Sequence, residues 1–395
     1  MAARNARPKP APHDRPYDVV VFGATGFAGR LTAEYLAQQA PADCRWAIAG
    51  RSRAKLESVR DDIGRPELPI VEADVEDEAS LRALAESTRV LITTVGPYVL
   101  YGDGLIGACA AAGTDYLDLT GEPEFVDTSY VRYHDTARES GARLVHAAGF
   151  DSIPHDLGAY FTVLHLPEGV PLSVRGYVRG SMMISGGTFS TMLTGASRVR
   201  QNVAAVRARR AIEPRTEGRV IRARGGRPGR DPVDGGWVLP FPSLDPQIVA
   251  RSARAIERYG PQFEYAHHVS VPHLHQAGGL ALGVAGLVGA AQIPAARRAL
   301  QKRLAPGDGP SPERRARSWF TVTFVGEGGG EQVITRVSGG DPGYGETAKM
   351  LGESALCLAF DDLPSTSGQV TTAAAMGDAL LDRLQKAGIG FDVIG

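Results

Sequence analysis

Residues 17–30 read YDVVVFGATGFAGR, and the order of types in this stretch decides the fold. Tyr17 to Phe22 is a run of β-branched and aromatic residues, the composition of a parallel strand covered on both faces. The turn Gly23-Ala24-Thr25-Gly26-Phe27-Ala28-Gly29 comes next, and a helical pattern through Leu31, Tyr35 and Leu36 follows it. Strand, glycine turn and helix in that order is the dinucleotide-binding arrangement. Gly23 permits the tight turn, Gly26 lets the backbone approach a pyrophosphate, and Gly29 lets the helix pack against the strand. The N–H groups and positive dipole end of that helix then face the phosphates. The plainer alternative is a strand–turn–helix whose glycines serve packing alone.

Working outward, the pattern repeats. Strands are expected over residues 45–49, 68–72, 89–94, 116–119 and 143–147, with helical segments between them. Strict βα alternation predicts a doubly wound parallel sheet, a Rossmann domain over residues 16–150, with ligands beyond the carboxyl ends of its strands. Residues 1–15, rich in Ala, Arg and Pro, read as a disordered tail. After Gly149 the pattern alternates as in antiparallel strands, at 173–178, 263–271, 319–325 and 332–337. Helices are expected near 189–206 and 246–258. Residues 151–340 are thus predicted to form a second, α+β domain, and residues 341–395 to end the chain in two helices.

Composition narrows the function classes. The chain has 395 residues, 43% hydrophobic and 22% charged, with a formal net charge of −1. That balance argues against a dedicated nucleic-acid binder. Cys44, Cys109 and Cys357 are scattered and odd in number, so neither a disulfide framework nor a thiolate metal site is expected, and a reducing, cytoplasmic compartment fits. Residues 277–291 form an uncharged Gly/Ala/Leu/Val segment, short of the roughly 20 residues a membrane span needs. It is expected to be buried or interfacial, with peripheral membrane contact as the alternative. Residues 198–230 carry eleven arginines against Glu213 and Glu217 and read as a solvated, mobile surface segment, looped at 225–230. The sharper alternative is a docking patch for an acidic carrier protein or anionic lipid.

The strand ends supply the candidate site. An NAD enzyme places Asp or Glu after the second strand to accept from the ribose 2′-hydroxyl. Here Gly50 is followed by Arg51, Ser52 and Arg53, whose guanidinium groups suit a 2′-phosphate, so NADP is the expected cofactor. Asp74 and Val75 follow the third strand, where adenine binds. Thr94, Gly96 and Pro97 pass the pyrophosphate and nicotinamide, which sets Tyr98 near the hydride-transferring ring as a candidate donor to a substrate oxygen. Asp151 and His155 leave the last Rossmann strand and are expected to line the cleft between domains, unless they merely cap the helix beginning near Pro154. His267, His268, His273 and His275 cluster in sequence, but no zinc signature completes them and no metal is expected. No G-x-S-x-G elbow appears, which argues against a serine hydrolase.

Taken together, Gly23 to Arg30, Ala49-Gly50-Arg51-Ser52, Thr93 to Tyr98, Tyr116 to Glu122, Gly149 to Asp156, Gly343 to Ala348 and Ala374 to Asp378 resemble the saccharopine dehydrogenase-like oxidoreductases. Within them the chain is most similar to the trans-acting enoyl reductases, over roughly residues 16–390. The resemblance implies an NADP-binding Rossmann domain with a saccharopine reductase-like second domain. It also implies reduction of a carbon–carbon double bond on a polyketide or lipid thioester, with an acyl carrier protein or polyketide synthase as partner. Tyr98, then His155 and Asp151, would serve the reacting end, and residues 277–291 would help hold a lipid-like chain. Animal relatives are associated with membranes, which favours a location peripheral to the membrane, and a homodimer is compatible with the reading. An imine or carbonyl reductase of the saccharopine type and a non-catalytic NADP sensor or scaffold are the competing readings.

Overall fold

The computed structural model describes residues 15–181, 193–214, 216–241, 243–293, 295, 296, 299 and 311–395. The expected tail, residues 1–14, and the first part of the helix expected over 189–206 lie outside the described residues. Arg15, assigned to that tail, is a correction: it is buried, and its guanidinium donates to the carbonyls of Thr88 and Ala112 and to Thr114 Oγ1.

Around β1 (Tyr17–Phe22) stand β2 (Trp46–Gly50) and β4 (Thr88–Thr93), both parallel to it. With β3 (Ile70–Glu72), β5 (Asp115–Asp118), β6 (Arg143–Val145) and β14 (Gly368–Val370), the seven-stranded sheet runs β14-β6-β5-β4-β1-β2-β3. Strand order reverses between β1 and β4, which is the switch point where doubly wound sheets bind ligands. Val19, Val20 and Val21 are fully buried, each contributing on the order of 1.5–3 kcal/mol over the exposed state. The predicted Rossmann sheet is therefore present, with one strand the reading did not contain.

That strand changes the division of the chain. The first compact unit comprises residues 1–149, 201–212 and 347–380, and the second comprises 150–200, 213–346 and 381–395. The C-terminal helices are not a separate piece, as residues 341–395 were expected to be. Residues 347–360 are almost wholly buried, and Gly352 lies where a Cβ would stand 2.6 Å from the Tyr35 ring. Tyr35 Oη donates to Glu353 Oε1 at 2.7 Å. β14 then extends the sheet beside β6. Sequence order gives no warning of this, because a three-residue edge strand has too few residues to show a period.

The second unit holds a mixed sheet of β7 (Leu172–Gly180), β8 (Val220–Gly225), β9 (Gly229–Arg230), β10 (Trp237–Pro240), β11 (Gln262–Val271), β12 (Phe320–Gly328), β13 (Glu331–Gly339) and β15 (Gly390–Val393). β12 and β13 make the expected hairpin, while β7 and β11 pair in parallel. β8 and β10 share the other edge of β11, one along each half. This corrects the arginine-rich stretch. It opens with the helix Val199–Ile212 and ends in β8 and β9, and of the loop expected at 225–230 only residues 226–228 are loop. Arg209 is buried against Asp127 at 2.6 Å, Arg224 is paired with Glu264, and Arg230 lies over the Trp237 ring at 4.1 Å.

The helix Leu274–Ala291 corrects the reading in the other direction. A buried or interfacial segment was expected, and burial is the part that fails: only 11% of this uncharged helix is buried. Leu274, Leu282 and Val288 are 58%, 76% and 43% exposed.

Candidate dinucleotide site and buried histidine clusters

The turn after β1 is built from close approaches. Gly23 has φ +87°, a left-handed conformation that costs a side-chain-bearing residue 1–2 kcal/mol or about that. Its N–H donates to Ala49 O at 2.9 Å, and Gly26 N–H donates back to Gly23 O at 2.9 Å. A Cβ on Gly29 would stand 2.3 Å from Gly23 O and 2.7 Å from Thr94 Oγ1, so only glycine lets the helix Phe27–Gln39 start this close to the strand. Gly26 occupies the cap position in an extended conformation. No side chain caps the helix, and its first turn holds no acidic residue. Thr25 and Gly26 are exposed at the surface of the turn, with Ala24 buried and Phe27 half-buried beneath. An uncapped, acid-free helix N-terminus behind a glycine turn fits an anionic pyrophosphate.

Neighbouring strand ends complete this edge. Thr94 N–H donates to Phe22 O at 3.1 Å, and its hydroxyl donates to Gly23 O at 3.2 Å, tying the β4 exit to the glycine turn. After β2, Arg51 is exposed and makes no ion pair among the described residues, so it fits a 2′-phosphate. Arg53 differs: it is paired with Glu57 at 3.2 Å and Glu72 at 3.4 Å. Ser52 holds the extended cap position of the helix Arg53–Asp62 without a side-chain cap bond. Asp74 Oδ1 accepts the Glu76 N–H at 3.1 Å, closing its own turn, and Val75 is half-buried beside it.

Tyr98 is not where the sequence reading put it. The Gly96–Pro97 bond is cis, and Tyr98 then turns inward, 5% exposed. Its hydroxyl donates to Thr93 O at 3.2 Å and accepts the Leu119 N–H at 3.1 Å. Glu122 accepts the N–H groups of Tyr98 and Val99 at 2.9 and 2.8 Å, and Phe125 stacks on the ring at 5.7 Å. A buried phenol with its proton already on a carbonyl holds the β4 turn in place; the role of donor to a substrate oxygen is withdrawn.

Two buried histidine groupings escaped the sequence reading. In the first unit, Asp118 ends β5 and His146 follows β6, with His146 Nδ1 2.7 Å from Asp118 Oδ2. Asp118 Oδ1 accepts the N–H groups of Thr120 at 3.0 Å and Ala147 at 2.9 Å. Ala147 is left-handed at φ +56°, a strain its bond to Asp118 offsets. The only signal was that each residue stands next to last in a predicted strand, 116–119 and 143–147.

In the second unit, Ser152 is the cap residue of the helix Ile153–Leu164, so neither Asp151 nor His155 caps it. Asp151 is half-buried in the preceding turn. His155 is 3% exposed and turned toward Asp245, its Nδ1 3.3 Å from Oδ1; His267 Nε2 lies 3.5 Å from Oδ2 of the same carboxylate. Burial by itself would push the Asp245 carboxyl up, but the adjoining His155 and His267 and the Ser243 hydroxyl outweigh it and hold it at about 2. Burial, then the neighbouring His155, pulls His267 down to about 3, so its imidazole is neutral. Of the four histidines grouped in sequence, His267 alone enters this cluster. His268 faces the other side of β11, stacked on Tyr177, and His273 stacks on His275 at the start of the exposed apolar helix.

Comparison with known proteins agrees with the geometry of the first unit. Residues 19–146 match the family described as Saccharopine dehydrogenase NADP binding domain. A protein named trans-acting enoyl reductase from Mycobacterium bovis is 36% identical over 414 residues, covering 96% of this chain and 98% of its own. One of the same name from Mycobacterium ulcerans is 35% identical over 410 residues, covering 95% and 97%. Among solved structures, saccharopine dehydrogenase (L-Glu forming) from Saccharomyces cerevisiae superposes with a TM-score of 0.55 at 12% identity, over 96% of this chain and all of that one. That likeness is one of fold.

Proposed function

The chain belongs to the trans-acting enoyl reductase family of saccharopine dehydrogenase-like, NADP-dependent oxidoreductases, and on that premise we propose that it reduces the carbon–carbon double bond of an α,β-unsaturated acyl or polyketide thioester. The observation that carries the reading is the intact glycine turn, with its uncapped helix, in a chain similar over nearly its whole length to proteins of that name. NADPH, when bound, supplies the hydride, and solvent supplies the proton. The helix N-terminus at Gly26 holds the pyrophosphate, and Arg51 holds the 2′-phosphate. Thr94, Gly96 and Pro97 shape the floor of the site, and Tyr98 locks that floor from below.

The finer parts of the proposal rest on two surfaces. Arg207 and Arg210 are exposed on the helix Val199–Ile212 and make no ion pair among the described residues, which supports docking of an acidic carrier protein. The helix Leu274–Ala291 is apolar around its whole circumference and mostly exposed, which supports contact with a lipid phase at the membrane periphery.

The test follows NADPH oxidation with an enoyl thioester on a carrier protein, and cofactor binding to wild type and Arg51→Ala. We expect turnover with the thioester, NADPH bound more tightly than NADH, and a loss of about ten- to a hundredfold in NADPH affinity on removing the guanidinium, from a charged hydrogen bond of about 1.5–3 kcal/mol. Turnover of a keto acid with an amine, and none of the thioester, replaces the proposal with imine reduction. Equal affinity for NADH and NADPH in the wild type removes Arg51 from the site.

A further inference from the structure

We propose that His155, Asp245 and His267 form a binding site for a divalent transition-metal ion, zinc first, inside the second unit. The three residues come from three elements: the helix Ile153–Leu164, the first turn of the helix Asp245–Ala255, and β11. One ligand atom from each lies within 4.8 Å of the others. All three side chains are 3% exposed or less.

Their spacing matches an ion more closely than a hydrogen-bonded network. The two closest approaches are 3.3 Å and 3.5 Å, long for a direct imidazole–carboxylate bond, and among the described residues His155 Nδ1 and Nε2 and His267 Nε2 are buried without a well-formed hydrogen bond. Nitrogen and oxygen ligands held about 2.0–2.1 Å from a tetrahedral zinc ion stand about 3.3–3.4 Å from one another; here each imidazole approaches a different oxygen of Asp245, so the carboxylate would bind through both oxygens or turn to present one. A direct imidazole–carboxylate hydrogen bond in this same molecule closes to 2.7 Å.

The surroundings orient the ligands as outer groups do at metal sites. Tyr265 Oη lies 3.2 Å from His267 Nδ1, which leaves Nε2 turned to the carboxylate. Ser152 Oγ and Ser243 Oγ donate to the two oxygens of Asp245 at 2.9 and 2.5 Å. Phe150 and Phe241 set ring contacts at 5.7 Å against His155 and His267 and keep the site apolar beyond its ligands. A carboxylate this deep is stabilised by a neighbouring cation, and a divalent ion would supply one while taking one nitrogen from each imidazole. Two imidazoles and a carboxylate suit zinc, and also iron(II) or cobalt(II). Such an ion would tie two helices to β11, so it is expected to load as the chain folds.

The experiment refolds the full chain from denaturant with zinc or cobalt(II), removes free metal, and measures metal content and melting temperature. Expected are one zinc per chain, a rise in melting temperature with zinc, and cobalt(II) visible bands of tetrahedral or five-coordinate type. His267→Gln should bind zinc at least about a hundredfold more weakly and lose the zinc-dependent rise. The double variant His273→Gln, His275→Gln, which removes the exposed stacked pair, should keep both. Should Asp245→Asn or His267→Gln fail to fold, X-ray absorption of the wild type decides, with two imidazole nitrogens in the zinc shell expected. The proposal is overturned if the wild type retains no zinc, if His267→Gln binds it as well as wild type, if the His273/His275 variant is the one that loses it, or if the shell holds oxygen alone.

Discussion

Two aspartates meet buried histidines in this molecule, and they meet them differently. Asp118 closes on His146 at 2.7 Å and fills its other oxygen with two backbone N–H groups. Asp245 stands back at 3.3 and 3.5 Å from two imidazoles, its other bonds coming from serine hydroxyls. Burial is the same for both, so the difference lies in what each carboxylate answers to. The first fixes two turns beside the dinucleotide edge, including a left-handed alanine. The second keeps both imidazoles at more than the length of a direct bond. A buried polar grouping that has collapsed onto itself is a structural pin, whereas one held open by supporting bonds has the form of a receptor.

The comparison breaks most readily at Asp118. Asp118→Ala removes the partner of a buried imidazole and of two backbone donors at once, and should cost about 3–5 kcal/mol in urea unfolding. A loss below about 1 kcal/mol would mean that the 2.7 Å pair pins nothing. Tyr98→Phe sharpens the same point on a smaller scale. It strands the Leu119 N–H and the Thr93 carbonyl, and should cost about 1–3 kcal/mol while turnover per folded molecule stays within a few fold of wild type. A turnover loss of about a hundredfold without loss of stability would return the phenol to the reacting centre.

The smallest effect concerns a third aspartate, Asp18, met by arginines instead. Burial raises its carboxyl, but the hydrogen bonds from Arg45, at 2.9 Å for the side chain, and the second guanidinium of Arg89 outweigh that and set it below the ordinary value. A carboxylate depressed in the folded state contributes stability that is complete above its unfolded value near 3.8 and is lost as pH falls through the folded value. Denaturation midpoints measured from pH 5 downward should therefore fall more steeply for wild type than for Asp18→Asn. Parallel curves would show that the arginines leave this group untouched.

The sequence by itself determined six of the seven strands of the first sheet, the glycine turn and the preference for NADP. Those features are local: a buried parallel strand is a continuous apolar run, a turn at φ +87° selects glycine, and the residues after β2 are adjacent in the chain. It also determined that residues 277–291 are apolar, but not that they face outward, since an all-apolar helix reads alike in a core and on a surface. Only the tertiary structure decided that Tyr98 points inward, because exposure depends on Thr93 and Leu119 meeting its hydroxyl. Only it decided that residues 347–380 rejoin the first unit, and that His155, Asp245 and His267, separated by 90 and 22 positions, share one carboxylate. Contacts across such separations leave no periodic trace, and they exist only once helices and sheet have packed.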